Sequence, residues 1–112
     1  MINNQIILFK FIQTNNNVNW PDISIGYKLS KNFIRKFRDK IDWCFISEYQ
    51  KLSESFIKEF KDKVNWASIS INQNLSENFI REFQDKVYWR YILGYQKLSE
   101  EFKSEFKHKL ND

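Results

Sequence analysis

The sequence contains very few of the residue types that cross-link a chain, bind metals or form flexible loops. It has one cysteine, one histidine, one proline and two glycines. Because Cys44 has no second cysteine to pair with, an intramolecular disulfide and a cysteine-based zinc site are excluded. No apolar run approaches the roughly 20 residues that a membrane-spanning helix requires. We therefore expect a protein of the reducing cytoplasm that makes no contact with a membrane.

Groups for catalysis are equally scarce. His108 lies near the C-terminal end of the sequence, and the recurring serines are explained as helix caps. Neither a nucleophile–base pair nor a metal cluster can be assembled from these residues, and there is no glycine-rich phosphate loop. The sequence predicts a protein that is not an enzyme and that carries no cofactor and no metal ion.

A 23-residue unit with the consensus W-x-x-I-S-x-x-Q-x-L-S-x-x-F-I-x-x-F-x-D-K-V makes up most of the chain. Several of its columns hold one residue type throughout, and four of these hold tryptophan, leucine or phenylalanine. They are Trp20, Trp43, Trp66 and Trp89; Leu29, Leu52, Leu75 and Leu98; Phe33, Phe56, Phe79 and Phe102; and Phe37, Phe60, Phe83 and Phe106. Units of this length stack into an array, because one unit buries too little apolar surface to fold alone.

This pattern resembles a family of tandem repeats in uncharacterised proteins of giant viruses and AT-rich bacteria. Residues 43–64 and 66–87 carry the motif, and the resemblance extends over about residues 18–110. It implies a fold. It carries over no functional residue, because no common activity comes with the resemblance.

Each unit contains two helix starts. The N-cap candidates of the first kind are Ser30, Ser53, Ser76 and Ser99, and those of the second kind are Asn19, Asp42 and Asn65. Tyr88 stands in the second column in place of a capping residue. We predict a helix of about three turns after each serine and one of about two turns from each tryptophan.

Two further columns are interpreted as structural. The aspartates Asp39, Asp62 and Asp85 are expected to hold turn backbone or a tryptophan N–H, and the glutamines Gln50, Gln73 and Gln96 to bond backbone at the other turn. The predicted fold is a single all-α domain, a short right- or left-handed, α-solenoid-like stack of helix-turn-helix repeats. Its predicted parts are a degenerate helix at 1–18, repeats at 19–41, 42–64 and 65–87, and a truncated capping repeat at 88–112. A terminal helix is expected to have a more polar outer face.

The net charge of +4 is concentrated in residues 28–40, which hold six basic residues against Asp39. In the later units a glutamate precedes a cation by four residues, which predicts the favourable pairs Glu54–Lys58 and Glu77–Arg81. The first unit has Lys31 before Arg35, a repulsive pair, with Arg38 beside them. This stripe is either a solvated face or a site that binds an anion.

Two columns of the shorter helix change character from unit to unit. They read Asp22, Phe45, Ser68, Tyr91 and Gly26, Tyr49, Asn72, Tyr95. Positions that hold glycine, serine or aspartate are expected to be accessible. We therefore expect exposed aromatics of the kind enriched at binding hot spots at Phe45, Tyr49, Tyr91 and Tyr95. The alternative is that they fill gaps between units.

Our first hypothesis is a non-enzymatic protein-interaction module, an inhibitor or adaptor of a larger protein or ribonucleoprotein complex. A viral or mobile-element protein that blocks a host defence complex in the host cytoplasm, such as an anti-CRISPR, is one form of it. The first alternative is nucleic-acid binding through residues 28–40. The second is a structural protein that assembles end to end. The sequence leaves the partner and the oligomeric state open, with a monomer favoured.

Overall fold

Every secondary-structure element in the described part of the chain is a helix. The computed structural model describes residues 4–15 and 17–111, and these ranges contain no strand. Side chains are described for residues 6–15 and 17–110, so the ends of the predicted segments 1–18 and 88–112 lie outside the described residues. The prediction of an all-α repeat stack is confirmed.

Two kinds of short helix alternate after the first helix, α1, which spans Asn4–Thr14. The tryptophan helices begin at the repeated tryptophan and are α2 (Trp20–Gly26), α4 (Trp43–Tyr49), α6 (Trp66–Asn72) and α8 (Trp89–Tyr95). The serine helices follow the repeated serine and are α3 (Lys31–Lys36), α5 (Glu54–Glu59), α7 (Glu77–Glu82) and α9 (Glu100–Phe106). A 3₁₀ helix spans Lys107–Asn111.

Side-chain caps start these helices as predicted. Each of the four serines accepts a hydrogen bond from the backbone N–H three residues on. Asn19, Asp42 and Asn65 cap α2, α4 and α6 in the same way, whereas Tyr88 forms no side-chain cap bond to α8. A capped start compensates for the small number of internal hydrogen bonds that such short helices can form.

The serine helices are shorter than the three turns predicted. In the first unit, α3 ends at Lys36, and the N–H groups of Lys40 and Ile41 both donate to the carbonyl of Phe37 in a tight turn. The indole of Trp43 donates to the carbonyl of Arg38 over 2.8 Å, which takes an acceptor that a longer helix would use. Trp66 and Trp89 repeat this bond to Lys61 and Gln84. The N–H of these three tryptophans therefore binds backbone, so of the two roles predicted for the aspartate column, holding a tryptophan N–H is wrong, and holding turn backbone stays a prediction.

Aromatic pairs within the units form the core. Two phenylalanines of each serine segment lie 4.6 to 4.9 Å apart between ring centroids, and the tryptophan of the same unit packs on the second of them. Consecutive tryptophan helices pack against one another in the order α2, α4, α6, α8. The core is therefore a continuous row along the stack, which is what separate units require in order to bury their apolar faces.

Glutamine side chains join each tryptophan helix to the one before it. Gln73 donates to the carbonyls of Ser47 (2.9 Å) and Gln50 (2.7 Å) and accepts from the N–H of Leu52 (2.9 Å). Gln50 and Gln96 make the same three bonds to their own preceding units. This confirms that the glutamine column bonds backbone.

The described residues extend over 53 × 29 × 20 Å.

α1 packs on the first unit through the buried Leu8 and through Phe9, whose ring lies 5.9 Å from that of Phe37. The outer side of α1 differs from the polar cap expected, because Ile6, Ile7 and Phe11 are each about half exposed.

Candidate protein-interaction surface

The two aromatic columns lie on one face of the stacked tryptophan helices. On α4, the rings of Phe45 and Tyr49 lie 6.0 Å apart, and on α8 those of Tyr91 and Tyr95 lie 6.3 Å apart. Tyr49 and Tyr95 are 54% and 65% exposed, whereas Phe45 and Tyr91 are half-buried. In each pair, therefore, one ring is half-buried and the other projects into solvent.

Tyr88, which is not among the predicted site residues, belongs to the same surface. Its ring lies 6.1 Å from that of Tyr91 and nearly parallel to it, and it is 53% exposed. Tyr88, Tyr91 and Tyr95 are spaced three and four residues apart, so they form one row along α8. That spacing was visible in the sequence and would have identified Tyr88.

A polar strip separates the aromatic groups of α4 and α8. It lies on α6, where Ser68 and Asn72 occupy the columns that hold aromatics on either side. A depression of about 340 Å³ lies between Tyr49 and Asn72, and one of about 470 Å³ lies between Asn72 and Tyr95. We call these two depressions together the α6 trough: Asn72 and Asn74 line both of them and form its floor, and Tyr49 and Tyr95 form its two walls.

The basic residues predicted as a site lie on the other row of helices. Lys31 begins α3 and is exposed, and Arg38 follows α3 and donates to the carbonyl of Arg35 over 3.0 Å. Arg35 itself donates two hydrogen bonds to the carboxylate of Glu59, over 2.7 and 2.8 Å, and its guanidinium lies 5.7 Å from the centre of the Phe56 ring. Arg35 is thus held by the next unit.

Ion pairs between units replace the pairs predicted within helices. Lys58 pairs with Glu82 over 3.1 Å and Arg81 pairs with Glu105, in the same relation as Arg35 and Glu59. Neither predicted pair, Glu54–Lys58 or Glu77–Arg81, forms a close ion pair among the described residues, although the charge of Glu77 still raises the pKa of Arg81 from a greater distance. The cause is geometric, because the serine helix of the next unit brings a carboxylate within reach of each cation.

Glu54 and Glu77 instead bind the serine that starts the next serine helix. The carboxylate of Glu54 accepts from the N–H of Ser76 (2.6 Å) and from its hydroxyl (3.0 Å), and Glu77 does the same for Ser99 (2.7 and 3.2 Å). Lys31 occupies this column in the first unit. A cation cannot accept these bonds, so the link from the first unit to Ser53 is missing.

The ion pairs lower the pKa of two carboxyl groups. Hydrogen bonds from Arg35 lower the pKa of Glu59 below its ordinary value, and Arg81 lowers the pKa of Glu105 in the same way.

Among the residues that the structure describes, no three of histidine, cysteine, aspartate or glutamate are grouped so that they could hold a metal ion. Within the described residues, the helices lack the length and apolar character that a bilayer-spanning segment needs.

Comparison with known proteins gave no matching family model, no similar curated protein and no similar solved structure. The resemblance to the giant-virus and bacterial tandem repeats therefore stays a prediction.

Proposed function

We propose that this chain is a non-enzymatic protein-interaction module that binds a partner protein through the aromatic face of its tryptophan helices. One observation carries the proposal. Tyr88, Tyr91 and Tyr95 form a row along α8, and Tyr88 occupies the position where every other tryptophan helix has a capping side chain. Omitting a cap costs about 1 kcal/mol. The ring of Tyr88 stacks on Tyr91 but stays 53% exposed, so about half of its surface remains open to a partner.

Partner binding explains this arrangement. Tyrosine and arginine are enriched among the residues that dominate binding energy. Tyr88 and the two tyrosines of α8 lie beside the exposed Arg90. The aromatics of α4 extend the same face. An inhibitor or adaptor acting on a larger complex, including a viral or mobile-element protein directed against a host defence, fits such a surface.

Affinity capture from cells of the source organism tests the proposal. The test variant replaces the aromatics by the residues that α6 carries in the same columns, and its substitutions are Phe45→Ser, Tyr49→Asn, Tyr88→Asn, Tyr91→Ser and Tyr95→Asn. The stack already accommodates these residues in an equivalent helix, so the variant should fold. We expect partners captured by the wild type to be lost.

A matched control, Lys61→Ala with Asp62→Ala, changes two exposed residues of a turn outside this face. It should capture the same partners as the wild type. Equal capture by the aromatic-free variant and the control would rule out this surface.

The nucleic-acid alternative depends on Lys31, Arg35 and Arg38. The appearance of lysine in a column of glutamates favours a role for Lys31, but the pairing of Arg35 with Glu59 leaves less positive charge for phosphates. Binding of DNA or RNA that falls steeply with salt, and that Lys31→Glu weakens, would support this alternative. No binding at low salt would exclude it.

The exposed Ile6, Ile7 and Phe11 on α1 are the observation that favours end-to-end assembly. Sedimentation over a range of protein concentrations tests this second alternative. A species that stays monomeric at all concentrations would exclude it.

A further inference from the structure

We propose that the α6 trough binds an extended segment of the partner protein, with the partner's side chains against the two aromatic walls. This inference rests on the proposed function and names the part of the partner that is recognised. The trough arises because α6 carries Ser68 and Asn72 where α4 and α8 carry aromatics. Three observations support an extended occupant.

The first is the width of the trough. Packed helices lie about 8–10 Å apart, so the axes of α4 and α8, with α6 between them, are separated by about 16–20 Å. The tyrosine side chains of both walls take up part of this distance. The remaining width suits one polypeptide strand with its side chains directed to both walls.

The second observation is the chemistry of the floor. Asn72 donates one hydrogen bond to the carbonyl of Ser68 over 3.1 Å, which leaves its amide oxygen as an acceptor. Asn74 is exposed and adds a second amide. A helix satisfies its own backbone groups and would be expected to meet an apolar floor. An extended segment has free N–H and C=O groups, and amides bind both.

The geometry of a strand matches this division between floor and walls. Successive side chains of a strand point to opposite sides, and its backbone hydrogen-bonding groups point at right angles to them. A strand that runs along α6 would place alternate side chains against Tyr49 and Tyr95. Its backbone groups would then meet Asn72 and Asn74.

The third observation is the charge at one end. Lys51 lines the depression on the α4 side and Lys97 the depression on the α8 side, and Glu48 is the one acidic residue among those that line the two depressions. The floor, which is about 10 Å long at 1.5 Å per residue of α6, accommodates three to four extended residues. The preferred segment therefore has apolar or aromatic side chains at successive positions and a carboxylate at the lysine end.

A variant that fills the trough tests the inference. Ser68→Tyr with Asn72→Tyr gives α6 the same two residues as α8, so the fold should tolerate them. The matched control, Asp22→Tyr with Gly26→Tyr, adds the same rings to α2, outside the trough. A side chain at Gly26 meets open space, since no atom lies within 4 Å of a Cβ built there. Circular dichroism and thermal melting verify that both variants fold.

The probe is a display library of random linear peptides, selected on the full chain, with the affinity of each selected synthetic peptide measured by fluorescence anisotropy. We expect selected peptides to combine apolar and acidic residues. Filling the trough should weaken their binding at least about tenfold, and the α2 control should change it less than about twofold. Methylation of alternate backbone nitrogens in the peptide should weaken binding as well.

Several results would overturn the inference. One is failure to select any peptide. Another is unchanged binding after the trough is filled, and a third is a selected peptide that binds as well when it is locked into a helix. If partner capture is lost in the aromatic-free variant but kept when the trough is filled, the extended-segment inference fails and the interaction surface stands. If capture is insensitive to the aromatics, the proposed function itself fails.

Discussion

Single side chains carry much of the connection between neighbouring units. The amide of Gln73 satisfies one N–H and two carbonyl groups of the preceding unit, at a position that is 4% exposed. Among the described residues, no buried side-chain nitrogen or oxygen lacks a hydrogen-bond partner. A side chain that bridges three backbone groups fixes both the distance and the orientation of the next helix.

We expect Gln73→Ala to lower the free energy of unfolding by about 3 kcal/mol, because it leaves three backbone groups without their partner at a buried position. Urea unfolding followed by circular dichroism measures this change. The neighbouring and exposed Asn74→Ala serves as the control and should change stability by less than about 0.5 kcal/mol. Similar effects from both substitutions would contradict this account of Gln73.

Tyr88 is the second residue whose role can be isolated. Tyr88→Asn restores the cap that α4 and α6 possess and should raise the stability of the protein by about 1 kcal/mol. The same substitution removes one ring of the row on α8, so we expect weaker partner capture. Asn65→Tyr is the reciprocal variant and should lose a similar amount of stability. If Tyr88→Asn leaves the free energy of unfolding unchanged, the missing cap has no cost for α8.

Between elements, four repeating sets of polar contacts join one unit to the next. The glutamines join the tryptophan helices, ion pairs join the serine helices, and glutamates bind the serine that starts the next serine helix. In the fourth set, the hydroxyls of Ser24, Ser47 and Ser70 accept from the N–H of the residue that precedes the next tryptophan. Lys31 interrupts the third set. The column itself shows what the fold prefers there, because Glu54 and Glu77 both make the contact.

Lys31→Glu should therefore stabilise the protein, by about 1 kcal/mol, through new bonds to the N–H and hydroxyl of Ser53 and through loss of the repulsion from Arg35. Lys31→Ala removes the repulsion without supplying an acceptor, so the difference between the two variants measures the new bonds together with the smaller attraction of the new carboxylate for Arg35. Thermal and urea unfolding provide the comparison. Equal stability of the Glu and Ala variants would show that the contact does not form.

The ion pairs between serine helices predict that the free energy of unfolding depends on pH. The pKa values of Glu59 and Glu105 are lower in the folded chain than their ordinary values. Such groups stabilise the fold above the ordinary carboxyl pKa, and their contribution is lost as the pH falls through the lower, folded-state pKa. We therefore expect the free energy of unfolding to decrease from neutral pH to about pH 3.

A Glu59→Gln, Glu105→Gln variant should show a weaker decrease over the same pH range. The exposed Glu101→Gln is the control and should follow the wild type. Urea unfolding at a series of pH values gives both curves. Parallel curves for the wild type and the double variant would assign the acid sensitivity to other carboxyl groups.

The whole molecule has the proportions of an array. Its radius of gyration is 16.4 Å, whereas a compact domain of this length would have about 13 Å. The polar links between units join residues 18 to 26 positions apart, so each unit is bonded to its immediate neighbours. Stability should accordingly be close to a sum of unit and interface terms.

Duplication of residues 65–87 after Val87 tests this arrangement. We expect a folded, longer protein whose unfolding has a larger dependence on urea, because more surface is exposed on unfolding. The insertion also places a second polar helix between the aromatics of α4 and α8. Peptides selected on the wild type should therefore bind the longer protein at least about tenfold more weakly. Loss of folding would show that the units are not interchangeable.

For the candidate surface, the sequence was informative where columns change character. It marked Phe45, Tyr49, Tyr91 and Tyr95 as candidate aromatics, of which Tyr49 and Tyr95 are exposed and the other two are half-buried, and it placed a mismatch at Lys31. It did not indicate that Arg35 is bound by Glu59, because that contact joins residues 24 positions apart. The α6 trough could not be predicted from the sequence either, because the shape of a depression depends on the distance between packed helices.

Local information in the sequence was sufficient for the repeat, the helix caps and the apolar columns, because caps and helical periodicity depend on residues within one turn of each other. Tertiary packing set the length of the serine helices, where the indole of the next tryptophan takes the carbonyl that a third turn would need. It also selected the partners of Glu54 and Arg81. Those choices depend on distances between units, which local periodicity does not specify.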